Sequence, residues 1–170
     1  MAFGREGSMN WERFMADVPE LASPAEARFR NDGLCLVGTL RKDGSPRISP
    51  CELDFAAGEL LLGMMWRSRK ALDLLRDSRL VVHSVTSDRE GSEGDVKVYG
   101  RAIDISSPEV RQAYRYAIKA RIGWAPDEPE YHLFALDIES AGYIVFGEDS
   151  HALTWDPSSG LRRLPLAETT

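Results

Sequence analysis

The chain has 170 residues, 43% hydrophobic and 28% charged, a balance that fits one soluble globular domain with a proper core. Its net charge of −6, with no long Lys/Arg block to offset it, argues against a nucleic-acid partner. No apolar run approaches the roughly 18 residues needed to span a membrane, and residues 1–8 lack the apolar stretch of a signal peptide, so a cytoplasmic protein is expected.

Residues 1–22 read as a loose tail followed by a short helix, capped by Asn10 and carrying Trp11, Phe14 and Met15 at helical spacing. Ser23-Pro24-Ala25-Glu26 has the form of a capping box with proline at the first helical position. It predicts a second helix that runs through Phe29 and stops near Asp32-Gly33. A single domain is expected over residues 23–165. Its strands begin with the apolar run Leu34 to Leu40, a turn at Lys42-Asp43-Gly44, and a return strand from Arg47 to Phe55 that Pro46 and Pro50 assign to an edge or a bulge. Ala57-Gly58 turns the chain into an apolar strand ending at Met64.

The segment from Met64 to Asp77 draws attention on physical grounds. Ser68 is a candidate N-cap, Ala71, Leu72, Leu74 and Leu75 share one helical face, and Arg67, Arg69 and Lys70 gather at the helix N-terminus. Cations there oppose the helix dipole by roughly 0.3–1 kcal/mol each, whereas a bound anion would reverse the sign. Two readings stand side by side: a phosphate site, or an exposed basic turn in which Arg69 pairs with Asp73 at i,i+4.

Beyond it, Leu80 to Val85 is strongly β-forming, Thr86 to Gly94 a polar loop, and Asp95 to Ile105 a long strand with Val96 and Val98 on one face. Ser107-Pro108 opens a helix with Tyr114, Ile118 and Ile122 along one side, and the run from Gly123 to Pro129 ends it. Tyr131–Ile138 and Tyr143–Phe146 read as two strands joined at Ser140-Ala141-Gly142. His151–Trp155 and Leu161–Leu164 read as a final hairpin, with residues 166–170 as a frayed tail. Short strands at close spacing with few helices predict a mainly β protein, a small antiparallel barrel with helical additions. Cys35 and Cys51 read as buried free thiols, and the three histidines match no metal-ligand spacing, so no metal site is expected. Arg111, Arg115 and Lys119 read as a solvated helix face, and Arg101, Lys97 and Asp95 as mutual charge pairs. Trp66 and Trp124 read as packing residues with a possible place beside a ligand ring. His83 reads as a core or interface histidine.

Taken in order, Asp43 to Pro50, Leu60-Leu61-Leu62, Ser68 to Arg79 and Val98-Tyr99-Gly100-Arg101-Ala102 resemble the pyridoxamine 5′-phosphate oxidase-like, FMN-binding split-barrel superfamily, which also includes F420-dependent reductases. The resemblance covers residues 34 to 105. It implies a six-stranded antiparallel split barrel that forms a homodimer, with flavin-type cofactors held between subunits. It also implies that Arg47, Ser68, Arg69 and Lys70 contact the cofactor phosphate, while backbone at Ile48, Ser49, Met64 and Met65 lies beside the ring system. The expected activity is hydride transfer between FMN and a small-molecule substrate, with F420 as the alternative cofactor and non-catalytic binding of flavin, F420 or haem as the alternative role. Asp95 stands where pyridoxamine phosphate oxidases usually carry glutamine, and the C-terminal Trp155 to Pro165 departs from their Trp-x-x-x-Arg-Leu segment. Both departures argue for a generic flavin or deazaflavin reductase rather than a pyridoxamine phosphate oxidase. No residue is singled out as the catalytic acid.

Overall fold

A computed structural model describes residues 7–86, 88–148 and 150–166. Side chains alternate in and out along β1 (Leu34–Leu40), with Cys35, Val37 and Thr39 buried, as a strand with one covered face requires. β2 (Pro46–Ala56) returns against it and pairs with β3 (Glu59–Met65) only from Glu52 onward. The first half of β2 is therefore an open edge. The Pro50 carbonyl accepts the Lys70 ammonium on that edge, and since N and C=O of a strand residue point the same way, the proline nitrogen faces a side where no ladder donor is needed.

β4 (Arg79–Ser84) pairs with β1, β5 (Asp95–Asp104) with β4, and β6 (Tyr131–Val145) with β5. Pairing of β3 with β6, from Leu61 opposite Ala135 to Met65 opposite Tyr131, closes a six-stranded antiparallel barrel. β7 (His151–Asp156) and β8 (Gly160–Pro165) extend the sheet from the second half of β6 as the expected hairpin. The two strands predicted over Tyr131–Phe146 are in fact one. Ser140-Ala141-Gly142 is not a turn, because Tyr99 opposes Ser140 and Gly100 opposes Ile138, which makes Glu139 the extra residue of a bulge that bends the strand around the barrel. Gly100 is required at that bend: a Cβ there would fall 2.0 Å from the Asp137 carbonyl oxygen.

Among the described residues, four helices cover this barrel. α1 (Trp11–Asp17) is capped as expected, by the Asn10 side chain accepting from the Arg13 N–H. α2 (Pro19–Asp32) starts earlier than the capping box predicts. Val18 closes α1 and opens α2, Pro19 takes the first helical position, and Pro24 lies inside the helix. Glu26 bonds the Trp11 indole and Arg30 instead of a backbone amide. Burial of Leu21, Ala22, Ala25 and Phe29 along one stripe explains why the helix runs through the proline. α3 (Arg69–Arg76) covers one end of the barrel through Ala71 and Leu74, while Leu72 and Leu75 stay exposed, so the four-residue apolar face is narrower than its sequence suggests. α4 (Pro108–Ile122), capped by Ser107, lays Val110, Tyr114 and Ile118 on the outer wall formed by Leu61, Leu133 and Ala135.

Inside the barrel Val37, Leu53, Leu62, Val98 and Phe134 meet Phe14 and Phe29 from the helices. Each such side chain contributes roughly 1.5–3 kcal/mol on burial. Cys35 and Cys51 are directly opposite each other on β1 and β2, and both are buried free thiols. Arg28 is buried yet satisfied: it donates to the carbonyls of Val85 and Gly94 and to Asp32, which ties both ends of the polar loop to α2. The expected loose start and frayed end fall largely on residues 1–6 and 167–170, outside the described residues.

Glu59, at the start of β3, is buried. That burial pushes its carboxyl up to about 7, aided by Asp137 and Glu12 and opposed by a hydrogen bond from Asn10. Between the ordinary glutamate value of 4.5 and this raised one, the folded state holds a proton the unfolded state has lost, so stability falls as pH rises through that window. Replacing Glu59 by glutamine is expected to flatten the loss of Tm between pH 5 and pH 8. Thermal melts of both proteins across that range check it, and an unchanged slope would contradict it.

Candidate functional site

Along α3, residues Arg69, Leu72, Asp73 and Arg76 follow one another at helical spacing and face the β1–β2 hairpin. Between helix flank and hairpin lies an open cleft of about 710 Å³, lined also by Arg41, Lys42, Asp43 and Arg47. Five cationic side chains thus converge on it against two carboxylates. The hairpin tip is held in shape by Asp43, which accepts from the Ser45 amide at 3.0 Å and hydroxyl at 2.7 Å.

Asp73 organises this cleft from its floor. It is buried, and it accepts from Arg47 Nε at 2.7 Å, Thr39 Oγ1 at 3.0 Å and Arg76 Nη2 at 3.1 Å. Burial acts to raise its pKa, but the bonds from Arg47, Thr39 and Arg76 outweigh it and hold the carboxyl below its ordinary value. The i,i+4 pair of Arg69 with Asp73 does not form, because Asp73 points inward to β1 and β2. Arg69 is left with no hydrogen-bond or ion-pair partner among the described residues.

The expected phosphate contacts are therefore placed unequally. Arg47 and Arg69 line the cleft, with Arg47 tethered through Nε. Lys70 lies off the cleft and is engaged by the Pro50 carbonyl. Ser68 takes the N-cap position but makes no side-chain cap bond, and its Oγ is buried without a partner among the described residues. Such an orphaned hydroxyl beside uncapped first-turn amides suits an anion acceptor. The turn leading to it, closed by the Ser68 amide on the Met65 carbonyl at 3.0 Å, forces Arg67 to a φ of +54°.

The residues expected beside the ring fall in two places. Ile48 and Ser49 continue from Arg47 along the open edge of β2, with Ile48 74% exposed. Met64 and Met65 line a second cavity, of about 390 Å³, beneath α4. At ~3.3 Å per strand residue, Arg47 and Glu52, which borders that second cavity, are about 16 Å apart. The sites are thus joined by a strip of exposed β2 edge.

Sequence reasoning missed Arg41, Lys42 and Arg76, although a basic pair on the hairpin preceding Arg47 was there to be seen. It also missed His132, which pairs in register with Met64 and stacks on Trp66 at 4.6 Å and 7°. Its Nε2 is buried and unpartnered, and burial lowers its pKa. Trp66 thus packs on a histidine while remaining 56% exposed. The Arg111 and Arg115 face is not a solvated one: Arg111 bonds Glu128 and the carbonyls of Ile105 and Tyr131, and Arg115 bonds the Pro126 carbonyl. Arg101 pairs with Glu139, and Asp95 accepts from Thr86, so the expected pairing along β5 is absent. No group of His, Cys, Asp and Glu suited to a metal is present among the described residues.

No family model and no curated protein matches the chain. Solved structures do. A pyridoxamine 5′-phosphate oxidase-related, FMN-binding protein from Nostoc punctiforme PCC 73102 matches at a TM-score of 0.62 and 15% identity, over 88% of this chain and 95% of that one. A haem-binding protein from Mycobacterium smegmatis matches at 0.61 and 17% identity over 79% of this chain, which spans 57% of its length. HutZ, the haem-storage protein from Vibrio cholerae, matches at 0.57 and 14% identity, over 70% of this chain and 90% of that one. At such identities the likeness shows the fold: a split barrel of the pyridoxamine 5′-phosphate oxidase type.

Replacing Asp73 by asparagine leaves the partly buried Arg47 guanidinium without its counter-charge, a loss of about 3 kcal/mol and of roughly 6–12 °C in Tm. Differential scanning calorimetry at neutral pH checks this, and a shift smaller than about 2 °C would contradict it.

Proposed function

We propose that the chain is a flavin-binding oxidoreductase that holds FMN along the β2 edge and exchanges hydride between it and a small-molecule substrate. The observation that carries this reading is a cleft that holds a tethered arginine and Arg69, which has no side-chain partner among the described residues, next in the chain to Ser68, whose hydroxyl is orphaned at a helix N-terminus without a side-chain cap. Those are the donors a terminal phosphate dianion requires. An FMN-binding protein among the structural neighbours supports the choice of ligand.

In this reading Arg69 and Arg47 hold the phosphate in forked contacts, Ser68 donates its hydroxyl, and Lys70 adds a point charge from its seat on Pro50. Backbone at Ile48, Ser49, Met64 and Met65 flanks the ring system. Bound there, flavin supplies reversible hydride acceptance, which no side chain provides. The chain's own work is to orient the ring and to keep water from it. Ile48, Met65 and Trp66 are large apolar side chains left exposed, and we assign them to a homodimer interface with the cofactor between subunits. The further cations Arg41, Lys42 and Arg76 favour one variant, F420 with its acidic tail. The haem-binding neighbours favour the other, a carrier without turnover.

Mass spectrometry of the ligand released on denaturing freshly purified protein, followed by turnover assays with NAD(P)H and reduced F420, separates the three. FMN with turnover is the expected result. Arg69→Ala is expected to lower FMN affinity at least about tenfold, as for the loss of a charge-assisted hydrogen bond, with Tm unchanged because the Arg69 side chain has no partner among the described residues. A fluorescence titration reads the affinity, and equal binding by the variant would refute the site.

A further inference from the structure

The cavity beneath α4 has a character opposite to that of the cleft. Its walls are apolar and aromatic: Met65, Ile118, Pro126, Trp124, Tyr114 and Tyr131. Among the described residues no cationic side chain lines it, whereas Glu52, Asp127 and Glu130 do. Glu52 is paired with Arg121 at 2.9 Å, but among the described residues the carboxylates of Asp127 and Glu130 have no cationic partner. Tyr114 and Tyr131 stack with centroids 6.1 Å apart and planes 27° apart, and the Tyr131 ring already carries the Arg111 guanidinium 4.1 Å from its centroid. One face of that ring is thus already taken by a cation. Trp124, 61% exposed, borders the opening.

A second, independent feature marks the cavity as built for a ligand. Tyr114 is almost wholly buried, 1% exposed, yet its hydroxyl has no hydrogen-bond partner among the described residues. The oxygen is not sealed off, and it opens into the cavity that Tyr114 lines. The hydroxyl is admitted to its place by Gly63, where a Cβ would fall 2.0 Å from the phenol oxygen. Burial pushes the Tyr114 phenol well above its usual value, so the group remains a donor.

We infer that this cavity binds a small, flat organic cation, one or two fused rings carrying a protonated amine. The ring system lies among Tyr114, Tyr131 and Trp124, the ammonium faces Asp127 and Glu130, and a polar atom of the ring meets the Tyr114 hydroxyl. A volume of about 390 Å³ suits a ligand of that size. That this cation class supplies the substrate of the flavin chemistry rests on the reading given under Proposed function, because Met64 and Met65 border both. The binding itself does not rest on it.

The test uses a matched pair of probes, 4-(aminomethyl)quinoline, cationic at pH 7, and quinoline-4-acetate, anionic, each with a ring nitrogen that can accept from Tyr114, titrated calorimetrically into the full-length protein with and without added FMN. The amine is expected to bind about tenfold more tightly than the acid, the combined effect of two rim carboxylates and an aromatic wall. That preference should vanish in the surface double variant Asp127→Asn, Glu130→Gln, whose substitutions leave the packed wall intact. Tyr114→Phe, which keeps the ring, should weaken both probes several-fold. Equal or tighter binding of the acid, or an amine preference that survives the double variant, overturns the proposal. Amine binding with no FMN binding in the same samples supports this cavity and refutes the flavin reading instead, so the two fail separately.

Discussion

One buried carboxylate holds the α3 end of this barrel together. Asp73 draws a hydroxyl from β1, a guanidinium from β2 and a second guanidinium from its own helix onto two oxygens. The cost of removing that charge from water is offset only because three donors meet it. What results is a helix fastened across the barrel end in one orientation. Two arginines are held at the cleft with a charge to spare, while Arg69 is left over. Without Asp73 the same cations would repel one another across an open groove.

The second constraint is topological. β2 pairs with β1 from Pro46 to Glu52 and with β3 only from Glu52 to Ala56, because β3 leaves to close the barrel on β6. The open edge that remains carries Arg47, Ile48, Ser49 and Pro50 and connects a cationic cleft to an aromatic, acidic-rimmed cavity. Two regions of opposite charge joined by an exposed strand edge suit a molecule with a phosphate at one end and flat rings at the other, and a cation beyond it. Closure of the barrel and exposure of this edge are one structural event.

Most strands were legible in the sequence because period-two alternation and turn residues are local signals. β1 and the final hairpin match their expected positions. The misreadings have local causes too. Ser23-Pro24-Ala25-Glu26 mimics a helix start, but a continuous buried stripe from Leu21 to Phe29 prevails over it. Ser140-Ala141-Gly142 mimics a turn, but the demand that β6 serve β3, β5 and β7 at once turns the small residues into a bend in one long strand. The cations at the start of α3 were visible, and so was the arginine on the second strand. Their division of labour was not, since it depends on an aspartate that meets partners 26 and 34 residues away rather than the arginine four residues before it. Tyr114 against Gly63, and His132 beneath Trp66, likewise join distant segments that no periodicity connects.

The central claim, that this corner grips a terminal phosphate, is tested most directly by comparing FMN with riboflavin, which shares its rings and lacks only the phosphate. Equilibrium fluorescence titrations in low and moderate salt should give FMN an advantage of about a hundredfold, as two charge-assisted arginine contacts supply, narrowing as salt rises. Equal affinity of the two flavins at every ionic strength would contradict it.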